Sequence, residues 1–200
     1  MTEVIEKIKR LTPKPEEFHF LPPTSWGHNL VTGATIFSVS NGESIDSARK
    51  LIDGVPYSTW HSNSYDPLPV VVVDLGREVT FNRIVIFNRN TDARGTAGGN
   101  NATSLLRIST SLANPSNPDT LGTFPLTGPN AVCFKVKGSG QVCTFLDDPR
   151  PNIISARPTK ARFLQVSFLK AFWGDEALEE WKTSIALSEI MLFYAKDNAE

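Results

Sequence analysis

The stretch of residues 50–89 constrains the fold of this chain more than any other part of the sequence. It begins with a polar loop that contains Asp53-Gly54, which predicts a turn because glycine accepts a positive φ and the aspartate side chain can accept a hydrogen bond from the backbone that follows it. Two apolar runs come next, at residues 69–76 and 83–89. The pattern predicts a carboxylate-bearing turn that leads into two apolar strands.

The rest of the chain is typical of an all-β protein. Its 200 residues include 14 prolines and 13 glycines, and short β-rich runs recur without long helical periodicity. We expect a single sandwich or jelly roll with strands at residues 30–39, 69–75, 82–89, 104–110, 131–137, 141–146, 161–169 and 184–195. Residues 91–103 and 114–129 are rich in Gly, Asn or Pro and are predicted to be loops.

Charge and motifs narrow the function classes. The chain has 20 basic and 21 acidic residues and a formal net charge of −1, so no overall field attracts nucleic acid or an anionic membrane, and we expect a neutral partner. The sequence contains no Gly-x-Ser-x-Gly, His-Glu-x-x-His, phosphate-loop or Cys-x-x-Cys motif, and its three histidines are scattered. We therefore predict that the protein is not an enzyme.

No segment predicts membrane insertion or a classical signal peptide. Residues 1–20 are rich in charged side chains and have no apolar stretch of signal-peptide length, and no later run is long enough to span a bilayer. We expect a soluble chain. An extracellular or virion-surface location stays open, because a mature fragment or a virion component needs no signal of its own.

The N-terminal segment predicts an arm, residues 1–28, ahead of a domain of residues 29–200. Val4, Ile8 and Leu11 have helical spacing, which predicts a short amphipathic helix that ends at the prolines after it. Residues 18–26 are apolar but interrupted by proline, which indicates an extended segment that lies along a surface. Three alternatives are open: the arm packs on its own domain, is disordered, or docks on another subunit.

The two cysteines, Cys133 and Cys143, flank two short runs around Gly138. A hairpin loop of about three or five residues centred on this glycine would place the cysteines opposite each other, so a cross-strand disulfide is geometrically allowed. Two half-buried thiols in a reducing compartment are the equal alternative.

One ordered series of motifs runs through the chain. It consists of Asp53-Gly54, Thr59-Trp60, the run closing in Asp74-Leu75-Gly76, and a strand ending at Arg89. The series resembles the discoidin family, also called the coagulation-factor type C domain, a branch of the galactose-binding-like fold that includes many carbohydrate-binding modules. Residues 161–168 and 187–193 are similar to the family's late and terminal strands. The resemblance implies an all-β fold, a β-sandwich jelly roll of discoidin type with an N-terminal arm.

The resemblance also implies a structural calcium ion. In the family the ion is held by carbonyls around the Asp-Gly turn, by its Asp, by the Thr before the Trp and by a Glu at the start of the final strand. These positions are here Lys50, Asp53, Thr59 and Glu189, with the Ser188 carbonyl nearby. Val55-Pro56 departs from the pattern, because it offers only carbonyls where the family often has a second Asp or Asn. The alternative is that Asp53 only caps a turn and Glu189 pairs with a base.

A sugar site needs an aromatic ring for the apolar face of the sugar and side chains that exchange hydrogen bonds with its hydroxyls. The resemblance to galactose-binding modules implies these roles for a polar residue after the Trp, an Arg at a strand end, a loop Asn and a late aromatic. The candidate set is His61, Asn88, Arg89, Asn90, Phe172 and Trp173. The alternatives are that His61 is an ordinary strand-end residue, that Arg89 pairs with Asp92, and that Trp173 belongs to the core. Trp60 itself is expected in the core.

The sequence therefore predicts a non-catalytic, lectin-like module for a neutral galactose-type carbohydrate, with a structural calcium. The rival prediction is a structural or assembly protein, such as a virion surface or tail component. In that case the sandwich is a scaffold and residues 1–28 contact other subunits. Because a shared fold does not imply a shared function, the choice between the two depends on the site itself.

Overall fold

The computed structural model describes residues 20–41, 43–56, 58–63, 66–89, 102–128, 131–136, 140–145, 150–172 and 184–196. These residues form the strands β1 (Thr35–Val39), β2 (Trp60–His61), β3 (Val70–Asn88), β4 (Thr103–Ser111), β5 (Asp119–Pro125), β6 (Ala131–Val136), β7 (Gly140–Phe145), β8 (Pro151–Ala171) and β9 (Ala186–Phe193). They also form one short helix, α1 (Ile45–Ala48), and two 3-10 helices, Thr24–Trp26 and Arg49–Leu51. None of the helices in this part of the chain has the length and hydropathy needed to cross a membrane.

Two long strands carry the chain from one layer of a β-sandwich to the other. The first half of β3, at residues 70–74, pairs with β1 and with the second half of β8. The second half of β3, at residues 83–88, pairs with β9, and its residues 83–87 also pair with the first half of β8. One layer is therefore β1-β3-β8-β4-β5 and the other is β2-β9-β3-β8. The predicted all-β sandwich is confirmed.

The predicted strands at residues 69–75 and 82–89 are one strand in the structure. Gly76 lies at the crossing point with a φ of 73°, and its N–H donates to Oδ1 of Asp74 over 2.8 Å. The turn signal in Asp74-Leu75-Gly76 therefore bends the strand without ending it. The pairing of β3 with β8 shifts register between Asp74 and Val79, as a change of layer requires.

The core fills the space between the two layers. Alternate residues of β3, Val71 and Val73 in its first half and Ile84 and Ile86 in its second, belong to one buried cluster. This alternation is the period of two that a strand imposes. Trp60 is fully buried in the same cluster and packs against Phe168, with ring centroids 4.8 Å apart. The expected core position of Trp60 is confirmed.

A second, smaller cluster lies outside the core, on residues of β3 and β9 that alternate with the core-facing ones. It consists of Val85, Phe87, Met191 and Phe193. Two aromatic residues of the predicted arm pack on it: the Phe20 ring lies 5.4 Å from that of Phe87, and the Trp26 ring lies 5.7 Å from that of Phe193. Residues 20–28 thus lie along the chain's own sandwich. The predicted helix at residues 4–11 and Phe18 lie outside the described residues.

The predictions for residues 114–129 and for the hairpin that carries the two cysteines have different outcomes. Residues 119–125, inside the predicted loop 114–129, form β5 at the edge of a layer, paired with β4. The loop prediction was wrong there because an edge strand tolerates Gly122 and Pro125, which a central strand would not. The hairpin prediction is confirmed: β6 and β7 pair antiparallel, with Cys133 opposite Cys143. The disulfide itself stays a prediction.

Candidate functional site

The Asp53-Gly54 turn forms as predicted. Gly54 has a φ of 78°, and Oδ1 of Asp53 accepts a hydrogen bond from the N–H of Val55 over 2.8 Å. The preceding 3-10 helix, Arg49–Leu51, holds the turn against the domain through Leu51, which is fully buried in the core. The Asp53 turn is therefore anchored next to the core.

A bulge in the last strand brings that strand to the turn. Phe87 pairs with Glu189 and Asn88 pairs with Leu187, so Ser188 is one extra residue in β9. Bulges redirect side chains from the regular alternation. Beside the bulge, Oγ of Ser188 lies 3.0 Å from Oγ1 of Thr59, and Oε2 of Glu189 accepts a hydrogen bond from the N–H of Gly54 over 2.9 Å.

Glu189 is the most unusual side chain of this part of the structure. It is fully buried, and its Oε1 has no hydrogen-bond partner among the described residues. Burial first, and then the adjacent Asp53 carboxylate, raise the pKa of Glu189 to about 10, although the backbone N–H groups of Gly54 and Val55 act in the opposite direction. The alternative, a pairing of Glu189 with a base, is not seen among the described residues: the charge that acts on Glu189 is that of another carboxylate, Asp53.

These groups fit a hard cation. Calcium takes six to eight oxygen ligands, with carboxylates and carbonyls foremost, and two facing carboxylates with one uncommitted buried oxygen are suited to it. No three or more His, Cys, Asp or Glu side chains converge anywhere in the described part of the chain. A cation here would therefore draw its other ligands from carbonyls, such as that of Lys50, and from the Thr59 and Ser188 oxygens.

His61 and Arg89 lie on either side of the start of β9. His61 pairs with Ala186 across the β2–β9 ladder, and Asn88, the residue before Arg89, pairs with Leu187 on the other side of the same strand. Their backbones are thus separated by about two strand spacings, or roughly 10 Å. Burial lowers the pKa of His61, and the positive charges of Arg89 and Lys50 lower it further. The structure therefore brings the predicted imidazole and guanidinium to one edge.

Asn88 is buried beneath that edge, and its side chain joins the backbone segments around it into a hydrogen-bonded frame. Its amide nitrogen donates to the carbonyls of Thr103 and Thr127, over 2.7 and 3.0 Å. Its Oδ1 accepts the N–H groups of Arg89 and Thr103, over 3.0 and 3.1 Å. All four hydrogen-bonding positions of the amide are in use. In the structure Asn88 therefore orients Arg89 rather than facing solvent.

Phe172 completes the same end of the sandwich. Phe172 is 39% exposed, and its N–H donates to the carbonyl of Ala102 over 3.0 Å. Ala102 is bridged to Ala186, and a Cβ added at Gly128 would lie 3.4 Å from the Phe172 ring. The ring thus borders the frame formed around Asn88. Asn90 and Trp173 lie outside the described residues, so their roles stay predictions.

Three positioning residues could not be identified from the sequence. Thr103 donates from Oγ1 to the carbonyl of Ala186 over 2.9 Å, which ties β4 to β9. Thr127 donates from its N–H and its Oγ1 to Oδ1 of Asn152, over 2.7 and 2.8 Å, which holds the loop beside Phe172. Isolated threonines and asparagines in polar stretches carry no signal for such long-range contacts, since the partners are set by strand pairing alone.

Comparisons with known proteins agree with this architecture. The F5/8 type C domain model matches residues 34–187. No curated protein matches the chain. Carbohydrate-binding module CBM32-3 from a family 31 glycoside hydrolase of Clostridium perfringens is similar in structure, with a TM-score of 0.56 and 20% identity over 83% of this chain and 93% of that chain.

Two further similar structures contain sugars. The family 32 module of C. perfringens NanJ, in complex with galactose, has a TM-score of 0.55 and 15% identity over 82% of this chain and 97% of that chain. The CpGH89 module CBM32-5 of the same organism, in complex with GalNAc-β-1,3-galactose, has a TM-score of 0.53 and 16% identity over 83% of this chain and 99% of that chain. The family match spans most of the sandwich, and the chain belongs to the F5/8 type C, or discoidin, domain family.

Proposed function

We propose that this chain is a non-catalytic carbohydrate-binding module for galactose-type glycans, with a structural calcium ion beside the binding site. One observation carries the proposal: His61, Arg89 and the exposed ring of Phe172 border the same end of the sandwich, on a frame of buried hydrogen bonds. These are the chemical groups that a sugar requires, an apolar face and directional donors and acceptors.

Each group has a part in the proposed contact. Arg89 can donate two hydrogen bonds from its rigid fork to adjacent hydroxyls, and a neutral His61 can both donate and accept. Phe172 offers its ring to the apolar face of the sugar. Two of the similar modules are complexed with galactose-containing ligands, which favours a sugar of this type here.

The calcium ion is proposed on the donor set that the turn and β9 provide. Asp53 and Glu189 would supply carboxylate oxygens, Lys50 and Ser188 carbonyls, and Thr59 its oxygen. The buried, unpartnered Oε1 of Glu189 is the observation that supports it. The ion would neutralise the two carboxylates and hold the turn against the last strand. Its role would be structural, because the sugar contacts come from other residues.

The test of the sugar site is titration calorimetry with methyl β-galactoside. Arg89→Ala and Phe172→Ala should each weaken binding by about 1–3 kcal/mol, or roughly tenfold to a hundredfold. Trp173→Ala should do the same if the sequence prediction holds. Arg107→Ala, an exposed arginine of β4, is the matched control and should bind like the parent.

Two results would contradict the proposal. The first is a parent protein that binds no galactose-type sugar, neutral or acidic, at millimolar concentration. The second is an Arg89→Ala variant that binds as tightly as the parent. Thermal unfolding of each variant distinguishes loss of a contact from loss of the fold, because Arg89 and Phe172 lie outside the core clusters.

A further inference from the structure

Three basic side chains from separate segments meet at the proposed sugar site. Lys50 lies in the 3-10 helix Arg49–Leu51, which packs against both β2 and β9. His61 is on β2, and Arg89 follows β3 on the opposite side of β9. The Lys50 and Arg89 charges both lie close enough to act on the His61 imidazole. Two positive charges thus flank a site for which a neutral sugar would need only hydrogen-bond donors.

The ammonium group of Lys50 forms no ion pair with the carboxylates of its described neighbours. Arg49, the preceding residue, pairs with Asp46 over 3.2 Å. The charge of Asp53 and Glu189, which face each other, would be balanced by the proposed calcium ion. Within the described part of the chain, Lys50 itself forms no ion pair, and its side chain is exposed. Its ammonium is therefore available to a ligand that occupies the space beside His61.

Arg89 adds a second, half-buried charge. Its backbone is fixed by the hydrogen bond to Asn88, and burial lowers its pKa. A guanidinium withdrawn from water gains more from an anion than from a hydroxyl, because charge-assisted hydrogen bonds are roughly twice as strong as neutral ones. Its planar fork matches the two oxygens of a carboxylate or of a sulfate.

We propose that the sugar bound at this site is acidic, with a carboxylate or a sulfate ester facing Lys50 and Arg89. This inference rests on the proposed function, since it uses the same site. It replaces the expectation of a neutral glycan, which followed from the net charge of the whole chain, with one that follows from the local charge. Uronic acids and sulfated galactose share the required chemistry.

Calorimetry with matched ligands tests the inference. The probes are methyl galactoside, methyl galacturonoside, the methyl ester of the latter and galactose 6-sulfate. The galacturonoside should bind at least about tenfold more tightly than the galactoside, and its methyl ester should lose that gain because it keeps the shape and lacks the charge. Raising the salt concentration to about 1 M should reduce the gain, since the Debye length falls to about 3 Å. The sulfate shows which of the two anions is preferred.

Variants assign the effect to Lys50. Lys50→Met keeps the backbone carbonyl and the length of the side chain but removes the charge, and it should abolish most of the preference for the acid. Arg49→Gln is the control, because its charge is one residue away and already paired, and it should keep the preference. An unchanged melting temperature in calcium would show that the loop of the Lys50→Met variant is intact.

The failures are distinguishable. Equal affinity of the parent for galactoside and galacturonoside would overturn the inference and leave the proposed function standing. A preference that survives Lys50→Met would overturn the role of Lys50. Binding of none of the four probes would overturn the proposed function and the inference with it.

Discussion

Two buried polar residues, Asn88 at the end of β3 and Glu189 near the start of β9, differ in how their hydrogen-bonding groups are used. Asn88 uses all four of its hydrogen-bonding positions on backbone groups of three segments, so it stabilises the frame and has no capacity left for a ligand. Glu189 is equally buried but retains an oxygen without a partner among the described residues. Because buried polar atoms are normally paired, this oxygen supports the proposed cation site. In that proposal Asn88 is a structural residue and Glu189 a ligand, although both are buried.

The surface ion pair of Arg162 with Asp74 gives the first prediction at the scale of single residues. Arg162 donates from Nε and Nη2 to the two oxygens of Asp74, each over 3.1 Å. The hydrogen bond from Arg162 lowers the pKa of Asp74 in the folded state. Its contribution to stability is therefore present above the unfolded pKa of about 3.9 and is lost as the pH falls through the lower folded value.

Arg162→Gln should accordingly lower the melting temperature at pH 6 by more than it does near pH 3. Arg157→Gln, an exposed arginine of the same strand, is the control and should show no such difference between the two pH values. The measurement is thermal unfolding by circular dichroism. An Arg162→Gln effect of equal size at both pH values would assign it to stacking on Phe163 and not to the ion pair.

At the scale of elements, residues 20–28 of the arm cover part of the outer face of β3 and β9. All eight residues of β9 are buried, because the core takes one face and residues 20–28 help to cover the other. This is the self-packing alternative for the described part of the arm. A role in assembly stays a prediction for residues 1–19, which lie outside the described residues.

Phe20→Ala should lower the melting temperature by about 2–8 °C, since a partly buried aromatic contributes about 1–2 kcal/mol and each kcal/mol is worth roughly 2–4 °C in a chain of this size. Leu21→Ala is the matched control. Leu21 is next to Phe20 but is 84% exposed, so its truncation should not change the melting temperature. Equal effects of the two substitutions would contradict the packing of Phe20.

Deletion of residues 1–19 tests the assembly alternative separately. If these residues contact other subunits, the deletion should change the solution mass measured by ultracentrifugation and leave the melting temperature unchanged, since few core contacts would be lost. An unchanged mass would remove the reason for assigning an assembly role to the arm.

At the scale of the whole molecule, the proposed calcium ion would connect segments far apart in the chain. Gly54 and Glu189 are separated by 135 positions, and one hydrogen bond already joins them. An ion bound only to the folded state stabilises it by about 2.7 kcal/mol when its concentration is 100 times the dissociation constant. For a chain of this size that corresponds to a rise in melting temperature of roughly 5–10 °C.

Chelation should therefore lower the melting temperature of the parent, and Asp53→Asn should abolish the difference between chelated and calcium-loaded protein. Asp46→Asn is the control, since this exposed carboxylate pairs with Arg49 on the surface and should leave the calcium effect intact. Identical melting curves of the parent in calcium and in chelator would contradict the site.

The sequence by itself determined the local features of this protein. The Asp53-Gly54 turn, the apolar strands around Val71 and Ile84, and the core position of Trp60 follow from residue type and spacing, and the order of these motifs was enough to indicate the family. The family resemblance also selected His61, Arg89 and Phe172 as candidate sugar contacts. Local conformational preference and the two-residue period of strands act over a few residues, which is why they can be recognised in the sequence.

The tertiary structure decided what depends on pairing between distant segments. It joined the two predicted strands into β3, added the bulge at Ser188, brought Glu189 to Gly54, and engaged the Asn88 side chain in backbone hydrogen bonds instead of a ligand contact. It also brought Lys50 beside His61 and Arg89. Register, bulges and burial arise from contacts across the sheet, and no stretch of neighbouring residues specifies them.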